Sequence, residues 1–418
     1  MSAYDEQVND PRTEPLISHN KPEITFFRDM FKTYANFGIV NKKVSVTLPE
    51  TGALSFGNTK TFRIPSGGDL ITKMYLNVTL PAVQGNVVTG STYANWVNNV
   101  GHALITKVQL FIGQTKIDEH SGVYLDIINE LTDVDKKDWK MIGKYESNIE
   151  LKTFQNNPTN YIIPLKFFFN KNNGVALPLF VLGNEKIKIS VTVNSLANLV
   201  LYDGSNNVSN VSMNEFSLGY DTISLSYKEK EAILRDLPSN LLIETVQSFE
   251  NLTTFNNLKL ENPVKELIFV FQKTSRKSNS NPQITLNKTA LKGNDIFNYS
   301  GNTTNNSLDY DIFNTLSISW GTTDIVENNE PARFFKENQV NKYHSRNTNK
   351  NIYTYSFSIE PESHMPSGYI NFSKEGNRSL SFNFNGLETD IVLNIYAITY
   401  EYLVIQSEKA DKIEVPYF

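Results

Sequence analysis

The chain has 418 residues, a length that suits two domains of about 200 residues each. Aromatic residues make up 12% of it, with 26 Phe and 20 Tyr, so packed interiors can be filled and the chain should fold. Its formal net charge of -5 provides no basic surface for wrapping nucleic acid, so no direct nucleic-acid binding is expected. The absence of cysteine excludes disulfides, thiolate catalysis and zinc-thiolate sites, and it suits folding in a reducing cytosol.

The N-terminal region is polar and contains three prolines, Pro11, Pro15 and Pro22. Residues 1–24 are therefore expected to be an extended arm and not a signal peptide, which would need an apolar core. No later segment reaches 18 consecutive apolar residues, so no membrane span is expected.

Alternation of apolar and polar residues predicts strands in both halves of the chain. The clearest case is 185–193, where Ile187, Ile189 and Val191 would face one side. Denser apolar runs at 267–271 and 391–405 predict central strands that are covered on both faces. Similar alternation occurs at 44–48, 223–227, 353–359 and 380–384.

Helical patterns are short. Val123, Ile127 and Leu131 have the spacing of one helix that follows Ser121. A charged segment, 228–237, predicts a second helix that ends before Pro238.

This pattern predicts an all-β protein of two sandwich or jelly-roll domains. The predicted organisation is an arm at 1–24, a first jelly roll at 25–227, a connector at 228–239 and a second jelly roll at 240–418. Polar stretches at 84–99, 203–214 and 275–314 are predicted to be exposed loops. Internal repetition is barely visible: the tripeptide Pro-Ser-Gly occurs at 65–67 and at 366–368, a match that chance readily supplies in 418 residues.

No motif indicates catalysis, a cofactor or a metal. The five histidines lack metal-binding spacing, and His102 and His364 are interpreted as structural. The common phosphate-binding loops and the hydrolase nucleophile turn are absent. A catalytic carboxylate pair stays open, since two acids need only meet in space. Glu327, Glu330 and Glu337 are interpreted as a solvated acidic run.

Ten Asn-x-Ser/Thr sequons occur in this Asn-rich chain, many of them expected from composition alone. The candidate glycosylation sites are Asn287, Asn298, Asn302 and Asn305, because all four lie in the predicted exposed loop at 275–314.

A series of motifs, in order along the chain, resembles the major capsid protein of nucleocytoplasmic large DNA viruses, the family of iridovirus, phycodnavirus and mimivirus shell proteins. In the first half they are Ile64-Pro65-Ser66-Gly67-Gly68-Asp69-Leu70-Ile71, Met74-Tyr75-Leu76, Val100-Gly101-His102-Ala103-Leu104-Ile105, Ile112-Gly113-Gln114-Thr115-Lys116-Ile117-Asp118, Asn129-Glu130-Leu131-Thr132, Ile163-Pro164-Leu165 and Ala176-Leu177-Pro178-Leu179. In the second half they are Asn262-Pro263-Val264-Lys265-Glu266-Leu267-Ile268, Tyr355-Ser356-Phe357, Pro361-Glu362-Ser363-His364, Pro366-Ser367-Gly368 and Asn371-Phe372-Ser373. Two features depart from the family: Ile112 stands where a second glycine is usual, and residues 412–418 lack a Gly-rich ending.

The resemblance implies a double jelly roll of two eight-stranded sandwiches, three copies of which form a pseudo-hexagonal capsomer of an icosahedral shell. It implies no enzyme activity and no cofactor. The implied partners are the chain itself, minor capsid and penton proteins, and an internal membrane reached through minor proteins. The implied location is the virion, with assembly in the host cytoplasm. The loop 275–314 would face outward, and the aromatic cluster 167–169 would lie in the core or in the trimer interface.

Two other functions stay open from the sequence. A poxvirus-like assembly scaffold on a membrane would share the fold. A carbohydrate-binding or carbohydrate-cleaving β-sandwich would need exposed aromatic side chains, or two carboxylates about 5 to 9.5 Å apart for cleavage.

Overall fold

The alternating segments form strands that pair antiparallel into five sheets in this computed structural model. The structure describes residues 35–46, 54–65, 67–83, 93–146, 151, 157–182, 187–203, 211–236, 240–277, 282–286, 289–292, 294–300, 311–375, 379–406 and 409–413. Residues 1–37 form one unit, of which only 35–37 are described, and Gly38–Phe418 form the other. The predicted arm at 1–24 lies outside the described residues.

The first half contains eleven strands and four helices among its described residues. The strands are β1 (Phe37–Ser45), β2 (Thr59–Arg63), β3 (Leu70–Leu80), β4 (Ala94–Trp96), β5 (Ile105–Ile112), β6 (Thr115–Ser121), β7 (Thr159–Pro164), β8 (Leu177–Pro178), β9 (Ile187–Val193), β10 (Val200–Tyr202) and β11 (Glu215–Leu225). The helices are α1 (Val100–Leu104), α2 (Gly122–Thr132), α3 (Trp139–Ile142) and α4 (Phe168–Lys171).

The second half follows helix α5 (Tyr227–Asp236). Its described strands are β12 (Asn240–Leu252), β13 (Pro263–Lys273), β14 (Pro282–Leu286), β15 (Thr289–Lys292), β16 (Thr315–Trp320), β17 (Thr323–Pro331), β18 (Tyr353–Ser356), β19 (Ile370–Asn371), β20 (Leu380–Asn385), β21 (Ile391–Gln406) and β22 (Lys409–Ile413). A π-helical turn, Phe334–Asn338, continues into α6 (Gln339–Tyr343).

Each half is a sandwich of two sheets. In the first, the sheet β1-β11-β3-β7, with β8 also beside β3, faces the sheet β2-β9-β5-β6. In the second, the sheet β12-β21-β13-β18, with β19 also beside β13 and β22 also beside β21, faces β17-β16-β20. Ile187, Ile189, Val191 and Val193 of β9 are buried as predicted. Strands β13 and β21 lie inside the second sheet, which confirms the two predicted central strands.

The two sandwiches repeat the same strand order. Strands β1, β11, β3, β7 and β8 correspond to β12, β21, β13, β18 and β19, and β9, β5 and β6 correspond to β20, β16 and β17. Even β2 has a counterpart, because Leu258 bridges Leu380 of β20 as β2 pairs with β9. In each half a hairpin turns at a left-handed glycine, Gly113 (φ 62°) or Gly321 (φ 61°), and a helix follows. This duplication defines a double jelly roll.

Both predicted helices are confirmed. Helix α2 begins at Gly122, where the hydroxyl of Ser121 accepts a hydrogen bond from the Tyr124 backbone N–H and caps the first turn. Helix α5 spans Tyr227–Asp236 and contains no buried residue, as its charged sequence predicted.

The prediction of an exposed loop at 275–314 is wrong for most of its described part. Strands β14 and β15 form a hairpin there, and β15 pairs with β10 of the first half. Residues 297–300 are buried, and Tyr299 is 0% exposed. Buried aromatic side chains anchor this segment, a constraint that its polar composition conceals. The polar stretch 84–99 likewise ends in the buried strand β4.

Candidate assembly interface

The two sandwiches meet at a buried cluster of charged residues on helix α2. Asp126 and Glu130 lie one turn apart and are 0% and 3% exposed. Lys144 of the first half donates to Asp126 Oδ1 at 2.8 Å and lies 2.9 Å from Glu130 Oε1. From the second half, Lys350 Nζ lies 2.7 Å from Asp126 Oδ2, and Arg346 Nη1 lies 3.0 Å from Glu130 Oε2. Ion pairs thus join the halves at a site whose carboxylates are almost fully buried.

Neutral groups of the second half complete the same cluster. The Tyr299 hydroxyl donates to Asp126 Oδ2 at 2.8 Å, and the Thr348 hydroxyl donates to Glu130 Oε2 at 3.1 Å. The Arg346 backbone N–H donates to the Leu131 carbonyl at 3.1 Å, so the last turn of α2 is also used. Because each carboxylate has several donors, the cost of burying these charges is offset.

The electrostatics of the cluster keep its acids ionised. Burial alone would raise the pKa of Asp126, but Lys144 and Lys350 hold that pKa well below its usual range. The pKa of Glu130 is lowered in the same way against the cost of burial. Burial and the neighbouring Asp126 raise the pKa of Tyr299 far above 10, which keeps its hydroxyl a donor. The cluster is therefore a fixed structural joint near neutral pH.

A second contact joins the edge of β6 to β12. The Val246 backbone N–H donates to Asp118 Oδ1 at 3.1 Å, and Asp118 Oδ2 lies 2.9 Å from His120 Nε2. The hydroxyls of Ser121 and Tyr396 lie 3.2 Å apart. Polar pairing between the halves thus extends from α2 along the neighbouring strand.

A third contact lies at helix α4. Lys171 pairs with Glu244 of β12, and Glu244 also pairs with the buried Lys265 of β13. Burial and the charge of Lys171 lower the pKa of Lys265 to about 8, against the opposing pull of Glu244. These contacts link the first half to the middle of the second half's large sheet.

The segment that reaches α2 is held at its start by His344. Its Nε2 lies 2.7 Å from Glu266 Oε1 and its Nδ1 lies 3.1 Å from Glu362 Oε1. Burial opposes the charge on this ring, yet the two glutamates outweigh it and raise the pKa of His344 to about 10. The imidazolium therefore ties β13 to the residues on either side of β18.

An open cavity of about 660 Å³ lies beside Phe334–Asn338 and α6, and it also borders Asn347 and Thr348 of the segment that reaches α2. Its lining is polar and charged at Glu330, Arg333, Glu337 and Asn341. Among the described residues, no group of three or more His, Asp or Glu side chains is arranged to hold a metal ion. Within the described residues, no helix is long and apolar enough to cross a membrane.

The candidate glycosylation sites do not form one exposed group. Asn298 is 4% exposed, its amide donates to Asp295 Oδ2 at 3.0 Å, and its oxygen accepts from Ser300, so its predicted place in an exposed loop is wrong. Asn287, Asn302 and Asn305 lie outside the described residues. Glycosylation stays a prediction.

Other residues singled out from the sequence take structural positions. His102 is buried against Asn99, and burial lowers its pKa to about 3, so the ring is neutral. His364 is exposed and lies 3.4 Å from the Asn172 amide. The aromatic side chains of residues 167–169 are all buried in the core of the first half. Glu327 is exposed, and Glu337 pairs with Arg333 one turn away.

The sequence comparisons cover both sandwiches. The family described as "Major capsid protein N-terminus" matches residues 25–225, and the family described as "Large eukaryotic DNA virus major capsid protein" matches residues 232–409. Only residues 1–24, 226–231 and 410–418 fall outside these matches. The chain belongs to the major capsid protein family of large eukaryotic DNA viruses. Its function is that of a structural capsid protein, and its place is the virus particle.

Relatives in this family resemble the chain along nearly its whole length. The major capsid protein of Pyramimonas orientalis virus is 27% identical over 92% of this chain and 92% of its own length. That of Paramecium bursaria Chlorella virus 1 is 27% identical over 92% of this chain and 93% of its own. These matches include both halves of the double jelly roll.

Solved structures show the same fold. A quasi-atomic model of the PBCV-1 virus capsid covers 94% of this chain and 100% of its own, with a TM-score of 0.73 and 22% identity. The Faustovirus major capsid protein covers 92% and 93%, with a TM-score of 0.69 and 12% identity. At these identities the likeness concerns the arrangement of strands.

Proposed function

We propose that three copies of this major capsid protein form a capsomer with a pseudo-hexagonal outline that tiles the facets of an icosahedral shell. The observation that carries the proposal is the repeated strand order of the two sandwiches. Three chains contribute six similar sandwiches around one axis, so a threefold assembly acquires nearly sixfold contacts. Units of that shape pack a flat facet with a single gene product.

The buried joint between the halves supports this role. A tile must keep its shape when neighbours press on its edges, and the cluster at Asp126 and Glu130 fixes the angle between the sandwiches. Breaking a buried ion pair by removing one partner costs about 3 to 5 kcal/mol. A change in the angle between the sandwiches that separated these pairs would therefore be strongly unfavourable.

The remaining features of the role follow from capsid assembly. The protein acts without catalysis or a cofactor, and it assembles in the host cytoplasm. Its partners beyond other copies of itself are minor capsid and penton proteins, and an internal membrane is reached through the minor proteins. Contact with nucleic acid is not direct, because the net charge of -5 offers no basic surface for phosphates.

The domain division is part of the same proposal: an arm at 1–24, a first jelly roll at 25–227, a connector at 228–239 and a second jelly roll at 240–418. Helix α5 supports a connector at that position, since none of its residues is buried. Glycosylation at the sequons of Asn287, Asn302 and Asn305 is part of the same proposal.

The assembly proposal is tested by measuring the molar mass of the purified protein with light scattering and imaging it by negative stain. A particle of three 47.4 kDa chains with a hexagonal outline is expected. A stable monomer at high concentration that forms no lattice contradicts the proposal. High abundance in purified virions is expected of a coat protein, whereas a transient scaffold would be absent from them.

A further inference from the structure

The helix that follows the hairpin is covered in the first half and open in the second. On α2, eight of eleven residues are buried, and two of them, Asp126 and Glu130, pair with residues of the segment 344–352 from the second half. The corresponding segment, Phe334–Asn338 with α6, is exposed at Asn338, Asn341 and Lys342 and borders the open cavity. The same structural position is thus an interface once in the chain and a free surface once.

The strand before each helix shows the same difference. In β6, Ile117, Asp118 and His120 are buried, and β12 lies alongside. In the corresponding strand β17, Thr323, Asp324 and Glu327 are exposed. Each is the last strand of its sheet, so β17 presents an edge that has no covering strand among the described residues.

Strand β12 lies against β6, whereas its counterpart in the first half, β1, lies against no strand of the second half among the described residues. Strand β12 corresponds to β1, because each is the first strand of its half and pairs with the last long strand. Side chains of β12 such as Ile243 and Thr245 are buried, whereas Ile39 and Val40 of β1 are 62% and 50% exposed. Large apolar side chains on an exposed edge strand mark a contact surface.

The loop that follows β7 also has a counterpart with exposed apolar residues. Leu165 N donates to Met74 O of β3, and Phe357 N donates to Lys265 O of β13, so the two loops leave their sheets at matching positions. The first loop contains α4, which meets β12 through Lys171 and Glu244. The second loop, 357–369, exposes Ile359 at 76%, Met365 at 64% and Tyr369 at 56%.

Hydrogen bonds hold loop 357–369 in a defined shape. Ile359 N donates to Ser367 O at 3.3 Å, Glu360 N donates to the Ser367 hydroxyl at 2.9 Å, and Ser363 N donates to Glu360 O at 3.2 Å. The exposed apolar side chains of this loop are therefore presented on a rigid backbone, which lowers the entropy cost of binding.

The charges of the two free surfaces are complementary. Strand β1 includes Lys42 and Lys43, which also contact Gly67 and Glu215 of their own sandwich. Strand β17 includes Asp324, Glu327 and Glu330. A basic edge strand and an acidic edge strand attract one another, as opposite potentials do across specific interfaces.

We infer that the surface formed by β17, residues 334–343 and loop 357–369 binds a second copy of this chain through that copy's β1 and its segment 133–146. A similar contact already exists within each chain. There, β6, α2 and α4 of the first half lie against β12 and residues 344–352 of the second half. Exposed Val134 and Tyr145 of the second copy then approach the cavity beside α6. This inference rests on the proposed capsomer and specifies its interface.

The contact is head-to-tail, since each copy offers a different surface to the neighbour on each side. Such a heterologous interface closes into a ring when the rotation between sandwiches is regular. Around the ring, contacts between the two sandwiches of one chain alternate with contacts between sandwiches of neighbouring chains. Three chains, with six sandwiches, complete the ring.

The test uses three full-length double variants of equal chemical change. The strand variant is Ile39→Asp with Val40→Asp, and the loop variant is Ile359→Asp with Met365→Asp. The control variant is Tyr227→Asp with Leu234→Asp on α5, whose side chains are 75% and 54% exposed but lie on neither surface. Each replaces two exposed apolar side chains, so none should reduce the melting temperature of the monomer by more than a few degrees.

Light scattering after size exclusion measures how much of each protein is trimeric. We expect wild type and the control variant to form trimers. In the strand and loop variants, the amount of trimer at the same concentration should fall at least tenfold. Mixing the strand and loop variants yields dimers and no trimers, because one intact head-to-tail contact forms and the ring cannot close.

Other outcomes overturn the inference. If wild type is trimeric and both surface variants are also trimeric, the interface lies elsewhere while the capsomer proposal stands. If mixing the two variants gives no dimer, the contact is not head-to-tail. A monomeric wild type contradicts the capsomer proposal itself.

Discussion

Lys350 Nζ and Asp126 Oδ2 lie 2.7 Å apart, although 224 residues separate them in the sequence. Their side chains are 14% and 0% exposed, so the pair sits where water screens little of its attraction. Asp126 also accepts from Lys144 and Tyr299. One carboxylate on helix α2 therefore receives donors from both sandwiches, and its loss or the loss of a partner should be felt across the whole chain.

Replacing this lysine by an apolar residue of similar length is expected to destabilise the protein. In Lys350→Met, Asp126 keeps its buried charge but loses a cation, so the free energy of unfolding should fall by about 3 kcal/mol. Urea unfolding followed by intrinsic fluorescence measures the change. Arg235→Met is the control, because the Arg235 and Asp236 side chains are 76% and 69% exposed, and it should stay within about 0.5 kcal/mol of wild type. A loss as small as that in Lys350→Met would show that the cluster does not hold the halves together.

The strands could be predicted from the sequence, but the joint could not. Alternation predicts β9 and apolar runs predict β13 and β21, because burial on one or both faces leaves a local pattern. The pairing of Asp126 with Lys350 leaves none, since each is one charged residue among many until the fold brings them together. Tyr299 could not be identified for a related reason: it lies in a mostly polar stretch, and its hydrogen bond to Asp126 exists only in the folded chain.

Two jelly rolls could be predicted from the sequence, but which strands correspond between them could not. The two halves share their strand order but almost no motif, since a strand position requires only an apolar side chain on one face and many residues satisfy it. Pro65-Ser66-Gly67 and Pro366-Ser367-Gly368 precede β3 and β19, which are not corresponding strands. That shared tripeptide therefore does not mark the repeat, whereas Gly113 and Gly321 do, because both hairpin turns require a left-handed residue.

The contribution of His344 should depend on pH. Its pKa is raised from 6.5 to about 10 in the folded chain, so its stabilising charge is fully present below about pH 6.5 and is lost as the pH rises through 10. His344→Gln should therefore cost on the order of 3 kcal/mol at pH 6, because Glu266 is left buried without a cation, and much less at pH 10. Urea unfolding at both pH values measures this.

His364→Gln provides the comparison for that experiment, because His364 is exposed. Its effect should be small at both pH values. A loss in His344→Gln that is equal at pH 6 and pH 10 would contradict the ion pair with Glu266 and Glu362.

The cap of α2 should contribute measurably to stability. The Ser121 hydroxyl accepts from the Tyr124 backbone N–H at 3.2 Å, so Ser121→Ala should lower the free energy of unfolding by about 1 kcal/mol. Ser195 precedes a short helical turn without making a side-chain cap, so Ser195→Ala should change it by less than about 0.5 kcal/mol. Thermal melts of both variants measure the difference, and equal melting temperatures would show that the hydroxyl of Ser121 does not stabilise the helix.

Two glycines with similar backbones should respond differently to a methyl group. Gly68 has φ +92°, and a Cβ there would lie 2.7 Å from Cβ of the buried Thr222, whereas Gly57 has φ +77° and no atom within 4 Å of such a Cβ. Gly57→Ala should therefore cost about 1 kcal/mol from the left-handed backbone alone. Gly68→Ala adds the displacement of Thr222, whose hydroxyl donates to Val40 O at 3.1 Å, and should cost about 3 kcal/mol in total. Urea unfolding of the two variants measures the difference in the free energy of unfolding. Since Val40 lies on β1, a loss of trimer in Gly68→Ala but not in Gly57→Ala would also indicate that assembly requires this edge strand to be held in place.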